Sequence, residues 1–274
     1  MTPAVAGCNV GAMIRQFKLI ACALLVVLCF SNAKEPAPKS REAGRYDTWA
    51  LHEAAARTAF PTGAVMAALA RKAVEETTPA VLKESADVRL LAWIEAEYAV
   101  FRAIEHRVCD ALVHEQFTDV DEFLVTAATI MNRRKSRAGH SLEHHVEYLL
   151  KEAGIAFDPQ ATVDGKVRPD ILLPGKAAYD EATHPAEKLA VLALKTTCKD
   201  RWRQVLNEGK RVAVKDLLTL QPEMTRAQLE EMKEARLRLT VPAPLHAHYD
   251  VPDGYRVLSV QELLDDLKQR FPAP

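Results

Sequence analysis

The sequence predicts an α/β protein whose central mixed sheet is flanked by helices and preceded by a helical subdomain. Three observations carry that expectation. From Asp47 to about Asn132 apolar residues recur at helical spacing with no strand-like alternation, as in Leu90, Ile94, Tyr98, Phe101, Ile104 and Val108. After Asn132, short apolar runs bounded by turn residues alternate with helical stretches, the order that an α/β fold requires. The 274 residues are 49% apolar, ample for a core without disulfide or metal staples.

In chain order, residues 1–46 comprise an apolar segment and the polar, proline-containing linker Lys34–Arg45, and are expected to be poorly ordered. Residues 47–132 form the helical subdomain, and residues 133–274 form the sheet-bearing domain. The basic run Arg133-Arg134-Lys135-Ser136-Arg137 leads to Ser141, predicted to cap a helix over Ser141–Ala153 that stops at Gly154. Strand-like segments follow at Ile155–Val163, at Arg168–Leu173 after the Asp164-Gly165 turn, and at Leu189–Leu194. A short helix is expected over Asp200–Glu208, then strands at Asp216–Leu220 and Leu237–Val241. Thr225-x-x-Gln228 and Ser259-x-x-Glu262 have the form of capping boxes, in which hydroxyl and carboxylate or amide satisfy orphan N–H groups reciprocally; each predicts a helix start.

Charge and cysteine set bounds on function. The chain holds 36 Lys+Arg against 37 Asp+Glu, which excludes a generally polycationic binder. That balance is a sum of unlike parts. Asp47–Glu122 carries 14 acids against 7 basic residues, a net −7, whereas Arg133–Lys215 carries 16 basic residues against 11 acids, a net +5. The five cysteines, Cys8, Cys22, Cys29, Cys109 and Cys198, are scattered without a CxxC pair, which fits a reduced setting. Against this, Arg15 and Lys18 precede twelve apolar residues, Leu19–Phe30, and then Ser31-Asn32-Ala33, the form of a secretory signal. A buried helix or an over-early start codon gives the same pattern.

One constellation carries chemistry. Asp170 begins a predicted strand and Lys195 ends the next long one, so paired strands bring a carboxylate to an ammonium at a sheet edge. Glu208 lies on the following helix and Glu143 in the first turn of the preceding one. Three carboxylates around one lysine make a hard oxygen site suited to Mg²⁺, with the lysine placed to orient or deprotonate a water. An Asp and a Lys on adjacent strands are, by themselves, more often an ordinary ion pair.

The run Lys195-Thr-Thr-Cys198-Lys199-Asp-Arg201-Trp202-Arg203-Gln-Val-Leu-Asn207-Glu208 adds specificity to that constellation. So do Asn132-Arg-Arg-Lys-Ser-Arg137, Ser141-Leu-Glu143-His-His145, Arg168-Pro169-Asp170, Leu218-Thr-Leu-Gln221 and Val241-Pro-x-Pro-Leu245-His246. Together these stretches resemble the catalytic domain of the EcoRII family of type II restriction endonucleases, within the PD-(D/E)xK nuclease superfamily. The resemblance covers about Asp87 to the C-terminus and is densest from Asn132 to Glu208.

The resemblance implies a restriction-endonuclease-like fold and Mg²⁺-dependent hydrolysis of double-stranded DNA at a short palindrome of the CCWGG type, leaving 5′ phosphates. It implies that Asp170 binds metal and that Lys195 is the motif lysine. Glu208 matches an acid displaced from its ordinary place two residues before the lysine, where this chain has Ala193. Glu143 matches a helix glutamate near the metal, with Glu147 as its competitor. Tyr179 and Lys199 match positions that assist at the scissile phosphate. Arg201 and Arg203 are the candidates to read guanine, and Arg133, Arg134 and Arg137 to contact phosphates. A basic run at a helix end also suits the helix dipole without any ligand.

A palindromic site calls for a homodimer, with the helical subdomain as the contact surface, and an unrestrained cutter calls for a DNA methyltransferase encoded nearby. The family reading favours a cytoplasmic protein in which Leu19–Phe30 does not serve as a signal. The alternatives are an exported or non-specific DNA nuclease, or an inactive DNA-binding relic; the presence of Asp170, Lys195 and Glu208 speaks against the relic.

Overall fold

The computed structural model describes residues 44–272 apart from Glu115, Lys199 and Asp200. The apolar segment Leu19–Phe30 and nearly all of the linker lie outside the described residues. Four helices come first: α1 (Asp47–Ala55), α2 (Gly63–Thr77), α3 (Ala86–His114) and α4 (Val120–Glu152). Thr62 caps α2 by accepting from Val65 N, and Asp119 caps α4 by accepting from Glu122 N at 2.8 Å. The predicted stripe on α3 is real, with Leu90, Ile94, Phe101 and Ile104 all buried.

One helix in this region starts earlier than expected. Ser141 does not cap a new helix, because α4 runs unbroken through it from Val120. Its side chain is buried within the electrostatic reach of Glu97 of α3, whose carboxyl it helps to hold down, a use that a local pattern cannot disclose. For the same reason the boundary expected between residues 132 and 133 falls inside one continuous helix. The predicted stop holds: Gly154 takes φ +66°, Gly154 N donates to Lys151 O, and Ile155 N donates to Leu150 O, a glycine-terminated helix end.

A six-stranded mixed sheet follows in the order β1 (Asp158–Pro159), β2 (Ile171–Leu173), β3 (Ala190–Lys195), β4 (Lys215–Thr219), β5 (Leu237–Thr240) and β6 (Val257–Leu258). β1 pairs antiparallel with β2 and β2 with β3; the remaining neighbours are parallel. The expected strand at Ile155–Val163 is reduced to β1 and the Val163–Val167 bridge that closes the predicted Asp164-Gly165 turn. Helices α5 (Lys176–Asp180), α6 (Trp202–Val205), α7 (Arg226–Glu234) and α8 (Val260–Arg270) complete the fold. The helix expected over Asp200–Glu208 is only the short α6. Both predicted capping boxes are formed, at Thr225 and at Ser259.

Strand alternation divides the core. Ala190, Leu192 and Leu194 of β3 pack with the four long helices and α8, whereas Val191 and Ala193 face the opposite side, with Tyr179 and Val212 or with Trp202, Leu217 and Leu239. The helical part and the sheet thus share one core. Asp87 of α3 reinforces that union: its buried carboxylate accepts from Val260 N at 2.7 Å, Ala243 N at 2.8 Å and Gln261 N at 3.1 Å, capping α8 from a distant helix. No helix among the described residues is long and apolar enough to cross a membrane.

Candidate active site

Asp170 lies immediately before β2, and Leu172 pairs with Val191, so the antiparallel register carries Asp170 to the end of β3. By alternation Asp170 and Lys195 share the face of Leu172, Val191 and Ala193, away from the four-helix layer. There Asp170 Oδ2 accepts from Lys195 Nζ at 2.8 Å and from Leu194 N at 2.7 Å. The pair expected from the sequence is therefore formed, with both side chains mostly buried at 12% and 21% exposure. One backbone N–H and one ammonium hold a single carboxylate oxygen, and among the described residues Asp170 Oδ1 has a 3.3 Å contact with Gln160 Nε2.

Glu208 joins this pair electrostatically. Burial pushes its carboxyl up to about 7, with Lys195 pulling it down, Asp170 pushing it up and Lys215 again pulling it down. Its Oε2 is buried without a hydrogen-bond partner among the described residues. A buried carboxylate oxygen left unsatisfied costs free energy, and a cation is the partner that would relieve it. Asp170 and Glu208, both within electrostatic reach of the Lys195 ammonium, thus offer two hard carboxylate donors of the kind that suits Mg²⁺, which commonly takes one or two carboxylates and completes its shell with water and phosphate.

The three carboxylates expected to converge are placed differently with respect to one another. Among the described residues no group of three or more His, Cys, Asp or Glu is gathered closely enough to hold a metal ion. Glu143 is set apart by Gln160, whose Nε2 stands 3.4 Å from Glu143 Oε2 and 3.3 Å from Asp170 Oδ1. Sequence reading missed Gln160. Its left-handed backbone (φ +51°) and the bond from its N–H to Asp170 O at 3.1 Å fix it over the site, and neither shows in a local pattern. Glu147, the competitor, lies 3.9 Å from Lys151 on the same helix.

The remaining site expectations fare unevenly. Tyr179 packs with Leu172, Val191 and Val212, and its hydroxyl donates to Asp164 at 3.0 Å rather than toward Asp170 or Lys195. Lys199 lies outside the described residues. Arg201 is exposed and folds back on Thr197, donating to its carbonyl at 3.0 Å and its hydroxyl at 3.2 Å. Arg203 is exposed, lies over the Trp202 ring at 4.8 Å and pairs with Glu231 of α7.

Arg133, Arg134 and Arg137 do not form a free basic strip. Arg134 lays its guanidinium fork on both oxygens of buried Glu105, each at 2.6 Å. Arg137 pairs with buried Glu97 and Arg133 covers the Phe60 ring at 4.4 Å. The physical reason is the acidic face of α3, which sets counter-charges against the basic run of α4. Part of the net −7 and net +5 of the two segments therefore cancels inside the molecule.

Residues 101–264 match the family model described as EcoRII C terminal. The chain is 44% identical over 171 residues to the type II restriction enzyme EcoRII of Escherichia coli, an alignment covering 62% of this chain and 42% of that enzyme. It is 27% identical over 142 residues to the type II restriction enzyme SsoII of Shigella sonnei, covering 48% of this chain and 45% of that one. The chain thus spans less than half the length of these two curated relatives. Among solved structures, a complex of restriction endonuclease PspGI with substrate DNA superposes with a TM-score of 0.61 at 13% identity, covering 77% of this chain and 93% of that one. Metal-depleted Ecl18kI with uncleaved, modified DNA gives 0.57 at 18% identity, covering 85% of each. These two likenesses establish the restriction-endonuclease fold.

Proposed function

The chain belongs to the EcoRII C-terminal family, and from that membership we propose that it is a type II restriction endonuclease cutting double-stranded DNA at a short palindrome of the CCWGG type. The observation that carries this reading is the Asp170–Lys195 pair together with Glu208, which feels both charges and whose buried Oε2 has no hydrogen-bond partner among the described residues. A bound Mg²⁺ would neutralise charge developing on the phosphoryl oxygens, with Asp170 and Glu208 as the residues to hold it. Lys195, held by Asp170, supplies a fixed ammonium toward the scissile phosphate and orients the attacking water. Gln160 keeps Glu143 at one amide's remove, where it can hold water in the outer shell. The products are 5′ phosphates.

Arg201 and Arg203, exposed on the segment after Lys195, are the residues assigned to the base edges once they leave Thr197 and Glu231, since a guanidinium fork matches guanine O6 and N7. Two copies acting about a dyad fit a palindrome. The surface that supports a homodimer is the end of the α3–α4 hairpin, where Val113, Val120, Phe123, Leu124 and Val125 are exposed. A nearby methyltransferase and a cytoplasmic location follow from the same reading.

The test is direct. The full chain incubated with Mg²⁺ and phage DNA is expected to give discrete fragments, abolished by methylation of the recognition site. A smear shows a non-specific nuclease, and DNA left intact by folded protein shows a relic.

A second expectation follows from Glu208. Its carboxyl, pushed up to about 7 first by burial, must lose a proton before it can bind metal. Affinity for Mg²⁺ is therefore expected to be near its plateau above pH 8 and to fall about tenfold for each pH unit below 7. Calorimetric titration across pH 5.5–8.5 reads this, and Glu208→Gln should flatten the profile.

A further inference from the structure

Glu208 stands where no strand fixes it. The ordinary position for this acid, two residues before Lys195, is occupied by Ala193, whose side chain is buried on the far face of β3 from the long helices. Glu208 takes its place instead from the turn after α6, and that turn is gripped from outside. Gly209 adopts φ +64° and presses against β3 so closely that an added Cβ would lie 2.8 Å from Val191 Cγ2. Lys210 N donates to Asp164 Oδ2 at 2.8 Å, and Arg211 N donates to the Tyr179 hydroxyl at 3.4 Å. The Tyr179 hydroxyl in turn donates to the Asp164 carboxylate at 3.0 Å. The Arg211 guanidinium donates to the carbonyls of Tyr179, Glu181 and His184, the last two at 2.9 and 2.7 Å.

Asp164, at the tip of the hairpin before β2, thus closes a ring of hydrogen bonds through α5 to the two residues that follow Gly209. We propose that Asp164 and Tyr179 form a clamp that sets the position of Glu208 and so governs the affinity of the site for a divalent cation. Both are positioning residues, and the proposal rests on the nuclease reading above. It also moves Tyr179 from the scissile phosphate to a place behind the acid. The logic is geometric: Mg²⁺ demands oxygen donors at about 2.0–2.1 Å in near-ideal octahedral array, so a donor carried on a loop needs outer partners to hold it there. Loss of such partners costs about 10–100-fold in metal affinity or activity.

The experiment compares wild type, Tyr179→Phe and Asp164→Asn as full chains. Ca²⁺ binding is measured by calorimetry without DNA, and the Mg²⁺ concentration for half-maximal cleavage is measured separately. Each variant is expected to bind Ca²⁺ about tenfold more weakly and to need correspondingly more Mg²⁺, with the loss recovered at saturating Mg²⁺. The double variant should be little worse than Asp164→Asn, because the hydroxyl acts through that carboxylate. Unchanged Ca²⁺ affinity in folded variants overturns the clamp. A lower rate at saturating Mg²⁺ with unchanged metal affinity overturns it too, and returns Tyr179 to the phosphate. Should Asp164→Asn fail to fold, Tyr179→Phe, which removes a single oxygen, decides alone. Wild-type protein that neither binds Ca²⁺ nor cuts DNA overturns the nuclease reading as well as the clamp, whereas unchanged variants of an active enzyme overturn the clamp only.

Discussion

Lys195→Ala is expected to slow DNA cleavage about a thousandfold while leaving DNA binding close to the wild-type level, the scale seen when one preorganised transition-state donor is removed. The ammonium is held 2.8 Å from Asp170 and is the stronger of the two lysine influences that draw Glu208 toward its charged form. Its removal therefore acts twice. The developing charge loses its fixed partner, and Glu208, left with Asp170 as its nearest charged neighbour of the original pair, holds its proton to higher pH. Single-turnover cleavage at saturating Mg²⁺, with binding followed by mobility shift in Ca²⁺, separates chemistry from affinity. Lys195→Arg should not restore the rate, because a planar guanidinium cannot occupy the compact place of an ammonium. Cleavage retained in Lys195→Ala removes Lys195 from the proposed site.

The second large effect lies away from the site. Glu97→Ala is expected to destabilise the fold by about 3–5 kcal/mol, since it leaves the buried Arg137 guanidinium without its counter-charge. Glu97 is 3% exposed; it pairs with Arg137 and lies 2.9 Å from His145 Nε2, and Ser141 adds to the influences that hold its carboxyl down. Arg71 adds a 3.3 Å contact to His145 Nδ1, and Trp93 stacks on the imidazole. Burial raises the Glu97 carboxyl, but His145, Arg137 and Ser141 outweigh it and the net direction is down. For His145 burial is the largest influence and lowers it, against the raising effect of Glu97. Both groups therefore bind protons more readily in the unfolded chain, and both contributions to stability are lost as pH falls. The loss from His145 begins below its ordinary value of 6.5. Urea unfolding at pH 8 reads the energy, and the wild-type midpoint should decline from pH 7 to pH 5. A Glu97→Ala midpoint equal to wild type would show that the network contributes nothing.

What the sequence made legible was whatever depends on neighbours. The boxes at Thr225 and Ser259, the Asp164-Gly165 turn, the stop at Gly154 and the apolar run of β3 each follow from residues within four positions, and each is found. What stayed hidden depends on partners far along the chain. Ser141 looks like a helix cap until the helix opened at Asp119 runs straight through it and buries it, and the basic run looks like a phosphate strip until α3 supplies Glu105 and Glu97. In the site, the Asp170–Lys195 pair was legible because strand register dictates it. Gln160 was not, because an amide in a left-handed turn has no periodic signature.

The unbroken passage of α4 from the helical layer to the sheet bears on how such a chain can be recombined. A graft taken from residue 133 onward would carry Asp170, Lys195 and Glu208 into a new host, yet it would strip Arg134 and Arg137 of Glu105 and Glu97, and α8 of the Asp87 cap. Residues 47–132 are accordingly not an accessory to be exchanged for another module. They supply the counter-ions and the helix cap that the sheet-bearing half cannot supply for itself.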